Sequence, residues 1–254
     1  RDGVFKAKTE MFDYASKDCF VVLNGDDDKL SNVKEVNGHA PVFFGIDTDR
    51  DVMAIKYESL GIRGTKVKIK YFDKELDTVI PIPGYHMIYN AMVAVCIGSH
   101  FGMTLDEIDS GIRNLKAIGG RNNIFTTNGI TVIDDSYNAS FESMQASLKY
   151  LSGLKSKRKI AVLGDMFELG ENSKELHKEV GQAAVGKVDI LVCIGNLSKD
   201  IAEAAIEGGC NTLYFPNKAD FEENLSAYIK EGDTVLIKAS NGMKFKTIVE
   251  KLKG

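Results

Sequence analysis

Four short segments of this sequence carry the residue types that binding and catalysis use. After an apolar run at residues 131–133 come Asp134, Asp135, Ser136, Tyr137, Asn138, Ala139 and Ser140. Open α/β sheets bind ligands outside the carboxyl ends of their strands, so acids placed there can meet a ribose or a metal ion. The plain alternative is that Ser136 or Ser140 caps the next helix while the two acids face solvent. A second segment, Gly84 to Ala91, opens a helix after Pro81 and Pro83. Asn90 falls four residues past His86 there, so the two share a helix face. A lone histidine at a helix start is more often structural than a ligand. The third segment runs from Gly164 through Asp165 and Glu168 to Gly170. Its mixture of glycine and acid suits a ligand loop, although a simple turn uses similar residues. The fourth, Asn24-Gly25-Asp26-Asp27-Asp28, carries three acids. A cation site is one reading; an acid-rich turn capping the following helix is the better one.

The elements that must hold these segments fall into two organisations. Apolar runs at 131–133, 159–163, 189–194, 212–215 and 234–237 alternate with stretches such as 142–154 and 174–185, where apolar residues recur every three or four positions. Strand and helix alternating in this way predict a doubly wound, mostly parallel, Rossmann-like sheet over 121–254. Leu191 to Ile194 are continuously apolar, as a strand covered on both faces should be. The first part, 1–120, is less regular. The spacing predicts a helix over 8–14 and strands at 19–23 and 41–46. Strands at 52–57, 66–71 and 78–82 follow as an antiparallel ribbon, and then helices at 87–101 and 105–115. Thr104 and Glu107 form the sequence of a capping box. The pair Gly119-Gly120 is the natural hinge, which places the domain boundary at 120.

Composition excludes several classes. Of 254 residues, 44% are hydrophobic and 27% charged, the balance of a globular protein. The net charge of −4 argues against a nucleic-acid partner. The lysines at 66, 68 and 70 alternate with Val67 and Ile69, as on the solvated face of a strand. No run reaches the roughly 18 apolar residues a membrane helix needs, and no signal peptide is expected. Cys19, Cys96, Cys193 and Cys210 lie far apart with no CxxC or Cys/His grouping, so buried, reduced thiols in the cytoplasm are expected.

In order and spacing these segments resemble the Mur ligase superfamily. Within it they are most similar to the branch that joins D-alanyl-D-alanine to UDP-N-acetylmuramoyl-tripeptide. The stretch 133–144, IDDSYNASFESM, is close to that branch's IDDSYNANPxSM. The GDMxELG loop at 164–170, VLIKASNGM at 235–243, the KAKxEhF-like segment at 6–12 and the NADD-like turn at 24–27 agree with it too. The sequence departs at Met87, where Asn is usual, and at Phe141, where Pro is. It departs again at Ala239 and Asn241, where Gly and Arg are common.

The resemblance implies amide synthesis driven by ATP and Mg²⁺ through an acyl phosphate. It implies a catalytic role for Lys8, the lysine this superfamily often carbamylates, whose carbamate would be a metal ligand. Asn90 would contact adenine, with His86 at its helix start, and Arg121 would approach the phosphates. Asp135 and Tyr137 would serve the nucleotide. Ser136, Asn138, Lys238 and Asn241 would face the peptide substrates, with Ser136, Tyr137 and Asn138 lining the cleft between domains and Lys244 near the dipeptide. Neither GxxxxGK[ST] nor GTxGKT occurs in the sequence. The phosphate loop, the remaining metal ligands and the UDP-binding domain are therefore expected upstream of Arg1, and the chain alone is expected to be an inactive monomer. Two other readings stay open: a non-catalytic nucleotide-binding module, and a Mur-type ligase adding meso-diaminopimelate, lysine or polyglutamate, from which the 136–140 and 164–170 stretches point away.

Overall fold

The computed structural model describes residues 2–46, 49–117 and 119–254. The chain forms two compact units, Arg1–Lys116 and Ala117–Gly254, so the division precedes Gly119-Gly120 by a few residues.

The first unit begins with α1 (Asp2–Thr9), which passes into a 3-10 turn, Glu10–Tyr14. The helix expected over 8–14 thus lies mostly earlier and tightens at its end. β1 (Val22–Asn24), β2 (Val42–Gly45), β3 (Val52–Ser59), β4 (Thr65–Tyr71) and β5 (Lys74–Ile80) form one sheet in that order. The ribbon β3-β4-β5 is antiparallel as its alternation predicts, while β1, β2 and β3 run parallel. Across β4 the period-2 pattern buries Val67 and Ile69 and leaves Lys66 and Lys70 outside. The core closes with α2 (His86–His100) and α3 (Leu105–Arg113). On α2, Ile88, Ala91, Met92, Val95 and Cys96 recur at helical spacing and are buried. Thr104 and Glu107 make the reciprocal capping box. Asp27 accepts hydrogen bonds from the backbone of Lys29 (2.9 Å) and Leu30 (3.0 Å), so the acidic segment is a turn as expected, but it leads into a three-residue 3-10 turn, Leu30–Asn32, rather than into a helix.

The second unit contains β6 (Asn123–Thr127), β7 (Ile130–Asp134), α4 (Phe141–Gly153), β8 (Arg158–Gly164), α5 (Ser173–Ala184) and β9 (Ile190–Ile194). It continues with α6 (Ser198–Glu207), β10 (Thr212–Phe215), α7 (Lys218–Glu223), α8 (Leu225–Tyr228), β11 (Asp233–Lys238) and α9 (Lys246–Lys253). The sheet order is β10-β9-β8-β11-β7-β6, parallel throughout except for β6. Side chains alternate across it. Ile133, Leu163, Cys193 and Leu236 pack against α4, α5 and α6. Val132, Val162, Val192 and Val235 pack on the other face with Phe221 of α7 and Ile248 and Val249 of α9. β6, which the strand–helix alternation did not predict, pairs through a turn at Asn128 and Gly129, both with positive φ (48° and 72°). That is the two-residue turn such a dipeptide favours.

All four cysteines are free thiols. Burial pushes the Cys96 thiol up to about 12 and raises Cys193 as well, so both pack as protonated, unreactive groups at neutral pH.

Candidate active site

In the second unit the helices after β8 and β11 cover opposite faces of the sheet, although the strands are neighbours. The carboxyl ends of β7, β11 and β8 therefore open onto a crevice of the kind where doubly wound folds take ligands. Three connections line it: residues 135–140 after β7, 165–169 after β8 and 239–245 after β11.

The first connection is held by carboxylates turned inward. Asp134 is 4% exposed. It accepts from the Ser136 hydroxyl (2.6 Å) and from the Gly120 backbone N–H (3.0 Å). Asp135 is half-buried and receives the Lys238 ammonium at 2.6 Å, the Ser147 hydroxyl at 2.8 Å and the Asn122 N–H at 3.2 Å. Lys238 is only 2% exposed and also donates to the Asn138 carbonyl (3.1 Å). Ser140 caps α4 reciprocally with Ser143. The capping half of the plain alternative is thus present, but the two acids do not face solvent.

In front of this framework stand the exposed groups. Tyr137 and Asn138 project, and the guanidinium of exposed Arg121 lies 4.0 Å from the Tyr137 ring centroid, a cation–π contact. The Tyr137 N–H donates to Gly120 O at 2.7 Å, so Gly120 and Tyr137 are tied through the backbone as well. Asn241 is exposed in a 3-10 turn, Asn241–Met243, after β11.

The second and third connections are sewn together. Ser240 N–H donates to Asp165 O (3.0 Å) and its hydroxyl accepts from Phe167 N–H (2.8 Å). Asp165 also accepts from Ser198 N–H at 2.7 Å. Behind them His177, fully buried, accepts from Met166 N–H at Nε2 (3.0 Å) and donates from Nδ1 to Ser173 O (2.6 Å). That pattern assigns the neutral Nδ1–H tautomer.

Of the residues the sequence singles out, Arg121, Asp135, Ser136, Tyr137, Asn138 and Lys238 come together at this crevice, with Asn241 on the next connection. His86 and Asn90 belong to the first unit, exposed one turn apart on α2, where the Asn90 amide approaches Met87 Sδ (3.4 Å). Lys8 is exposed on α1, a helix with no buried residue. Sequence reasoning missed Ser147, His177, Ser198 and Ser240, whose bonds with Asp135, Met166, Asp165 and Phe167 span 12, 11, 33 and 73 positions, and no local pattern marks them.

Taken unit by unit, the exposed amide and imidazole on one face of α2 are of a type that can contact a base, and the exposed Arg121 guanidinium of the second unit is of a type that can contact an anion. They do not by themselves fit a metal ion. Among the described residues no three His, Cys, Asp or Glu side chains gather to hold one.

A model described as the Mur ligase middle domain matches residues 1–98, and one described as Mur ligase, glutamate ligase domain, matches 120–241. The chain belongs to the Mur ligase family. It is 32% identical over 257 residues to UDP-N-acetylmuramoyl-tripeptide–D-alanyl-D-alanine ligase of Bacillus subtilis (strain 168), covering 99% of this chain and 55% of that protein. The enzyme of the same name from Escherichia coli (strain K12) is 31% identical, covering 98% and 55%. The chain therefore spans just over half the length of these relatives. A MurF ligase from Thermotoga maritima in complex with ADP superposes with a TM-score of 0.80 at 25% identity, covering 98% of this chain and 56% of that one. MurF from Acinetobacter baumannii shares the fold, with a TM-score of 0.87 at 24% identity over 99% of this chain and 56% of that one.

Proposed function

We propose that these two units work within an ATP-dependent ligase that joins D-alanyl-D-alanine to UDP-N-acetylmuramoyl-tripeptide in cell-wall precursor synthesis. The observation that carries the reading is identity of about one-third, over 99% of the chain, with enzymes of that name. The 133–144 stretch that resembles this branch forms the inner wall of the crevice.

In this reaction the terminal carboxylate of the tripeptide takes the γ-phosphoryl group of ATP. The dipeptide amine then displaces phosphate from the acyl phosphate, forming the amide. Both reacting partners of the first step are anions, so alignment and charge neutralisation are the main requirements. Arg121 offers its exposed guanidinium to phosphate oxygens, and the Tyr137 ring packs against it. Asn138 and Asn241 present amides to the peptide substrates. Asp135, Lys238 and Ser136 set the crest on which Tyr137 and Asn138 stand. Asn90 and His86 serve the adenine. Mg²⁺ belongs to the proposal with Lys8, as a carbamate, supplying one ligand; the others come from outside the described residues. The protein works as a monomer in the cytoplasm, without a nucleic-acid or membrane partner. No described helix is long and apolar enough to cross a membrane.

The test is phosphate release from ATP with UDP-N-acetylmuramoyl-tripeptide, with and without D-alanyl-D-alanine, by the complete gene product beside the 254-residue chain. Dipeptide-dependent release by the former and none by the latter, which has no phosphate-loop sequence, is the expected result. Turnover only with another amino acid moves the assignment to a different Mur ligase. Nucleotide binding without turnover by either leaves the non-catalytic module.

A further inference from the structure

The turn after β11 has an unusual support. Lys244 ends it in the left-handed region, with φ +53°, a conformation a residue with a Cβ holds only where its surroundings impose it. Two positions before it, Gly242 lies against Phe167: a Cβ there would sit 3.0 Å from the exposed Phe167 ring, which would have to shift slightly to admit a side chain. Asn241 and Lys244 are exposed at the crevice, while Phe245 beyond them is fully buried and anchors α9.

The imposing group comes from the opposite direction. Lys218, the first residue of α7, extends its ammonium to the Lys244 carbonyl (2.9 Å) and the Met243 carbonyl (3.2 Å). Those two carbonyls close the 3-10 turn and carry its negative end, where a cation is favoured. Lys218 is itself oriented by Glu222, one turn on at 3.8 Å. Glu222 is held in turn by the Thr247 hydroxyl and by Lys251 at 3.1 Å. Burial alone would raise the Glu222 carboxyl. The hydrogen bonds from Thr247 and Lys251, with the charges of Lys218 and Lys251, hold it below its ordinary value, so it is ionised at neutral pH. Thr247 returns to the same place, donating its backbone N–H to Lys244 O at 3.2 Å while its hydroxyl proton goes to Glu222. A chain of charge-assisted hydrogen bonds thus links α7 and α9 to the back of a turn whose front faces the crevice.

We propose that Lys218 is a positioning residue: by gripping the Met243 and Lys244 carbonyls it fixes the Asn241–Met243 turn in the shape that receives the incoming dipeptide. The dipeptide part of this inference rests on the ligase reading above. The grip itself does not.

The variants are Lys218→Met, which keeps the stem and removes the donor, and Lys218→Arg, which restores a donor. Amide hydrogen exchange of the chain tests the grip without any ligand. In K218M the Met243 and Lys244 amides should exchange roughly ten-fold faster, with β11 and α9 unchanged and K218R close to the parent. Unchanged exchange at 243 and 244, or equal acceleration through β11 and α9, overturns it. In the complete gene product, K218M should raise KM for D-alanyl-D-alanine at least about three-fold and leave KM for ATP alone, with K218R again restoring it. An unchanged dipeptide KM, or parallel loss of kcat with no change in either KM, overturns the positioning role. Absence of dipeptide-dependent release from the unsubstituted protein defeats the ligase reading instead, and the exchange result still decides the grip.

Discussion

Replacing Lys238 by methionine removes a charge and three donors while retaining most of the stem's volume. The ammonium is almost wholly enclosed, with 3% of its side chain exposed against 19% for Asp135. Stranding one partner of a buried pair costs about 3–5 kcal/mol, because the remaining charge is desolvated without compensation. Here Asp135 keeps the Ser147 hydroxyl and the Asn122 N–H, and part of its surface meets water. The cost should therefore fall to about 2–3 kcal/mol, equivalent to roughly 30- to 150-fold faster exchange of amides that open with the β7–β11 ladder. Native-state hydrogen exchange read by mass spectrometry on the β7 and β11 peptides is the suitable assay, since it follows this unit separately from the first. The double variant K238M/D135N should be less destabilised than K238M alone by about 1 kcal/mol, because it no longer buries an unpaired carboxylate. A cost below about 0.5 kcal/mol, the size of a surface pair, would refute the reasoning. So would strict additivity in the double variant.

Three further outcomes follow from other contacts. Burial works to raise Asp233, but the hydrogen bonds from Arg158 (2.7 and 2.9 Å) and Lys230 N–H, with the charges of Arg158 and Lys157, keep it below 3.8. A depressed folded value means its stabilisation is complete above the ordinary carboxylate range and disappears as pH falls through the folded value. Urea midpoints taken from pH 7 to 3 should drop at the acid end, and Arg158→Met should flatten that limb; an identical limb in the variant contradicts the account. His177→Ala leaves Met166 N–H buried without an acceptor and opens a void, costing about 2–4 kcal/mol. Exchange at Met166 and neighbouring loop amides reports it, and a loss under about 1 kcal/mol is inconsistent with the clamp. Lys8, exposed on α1 and with no described metal cluster to stabilise a carbamate, should remain a plain lysine in this chain. Carbon-13 NMR after labelled bicarbonate should show no carbamate signal, and a strong one would reverse the expectation.

The elements were legible where one periodicity dominates. Thr131 to Ile133, or Thr234 to Ile237, read as strands from their apolar runs, and Ile88, Met92, Val95 and Cys96 mark a helix by spacing alone. β6 escaped although Asn128-Gly129 is a strong hairpin signal, because the strand–helix alternation after it drew the pattern toward a parallel reading. The parallel pairing of β1 and β2 was not legible, since three- and four-residue strands show no periodicity that fixes direction. At the site, the 134–140 and 164–170 segments announced themselves by composition. Their partners did not: Lys238 meets Asp135 across 103 positions and Ser240 meets Phe167 across 73, and only the strand order makes such pairs neighbours.

That strand order also divides the labour of the charged groups. Asp134, Asp135, Lys238 and His177 lie behind the crevice, each with its hydrogen bonds satisfied within the protein. Lys238 in particular has its charge answered by Asp135, and a paired ammonium at 2% exposure projects little field outward. Among the residues gathered at the crest, Arg121 is the cation that remains exposed, and its guanidinium is in cation–π contact with Tyr137. The two lysine and arginine roles implied by resemblance therefore separate on physical grounds. On the proposed ligase reading, Arg121→Lys in the complete gene product, which keeps the charge but loses the broad cation–π face and the forked donors, should weaken nucleotide-dependent turnover with little effect on stability. Lys238→Arg, overfilling a closed space, should show the reverse order. Equal effects of the two substitutions on turnover and on exchange of β11 would dissolve the distinction.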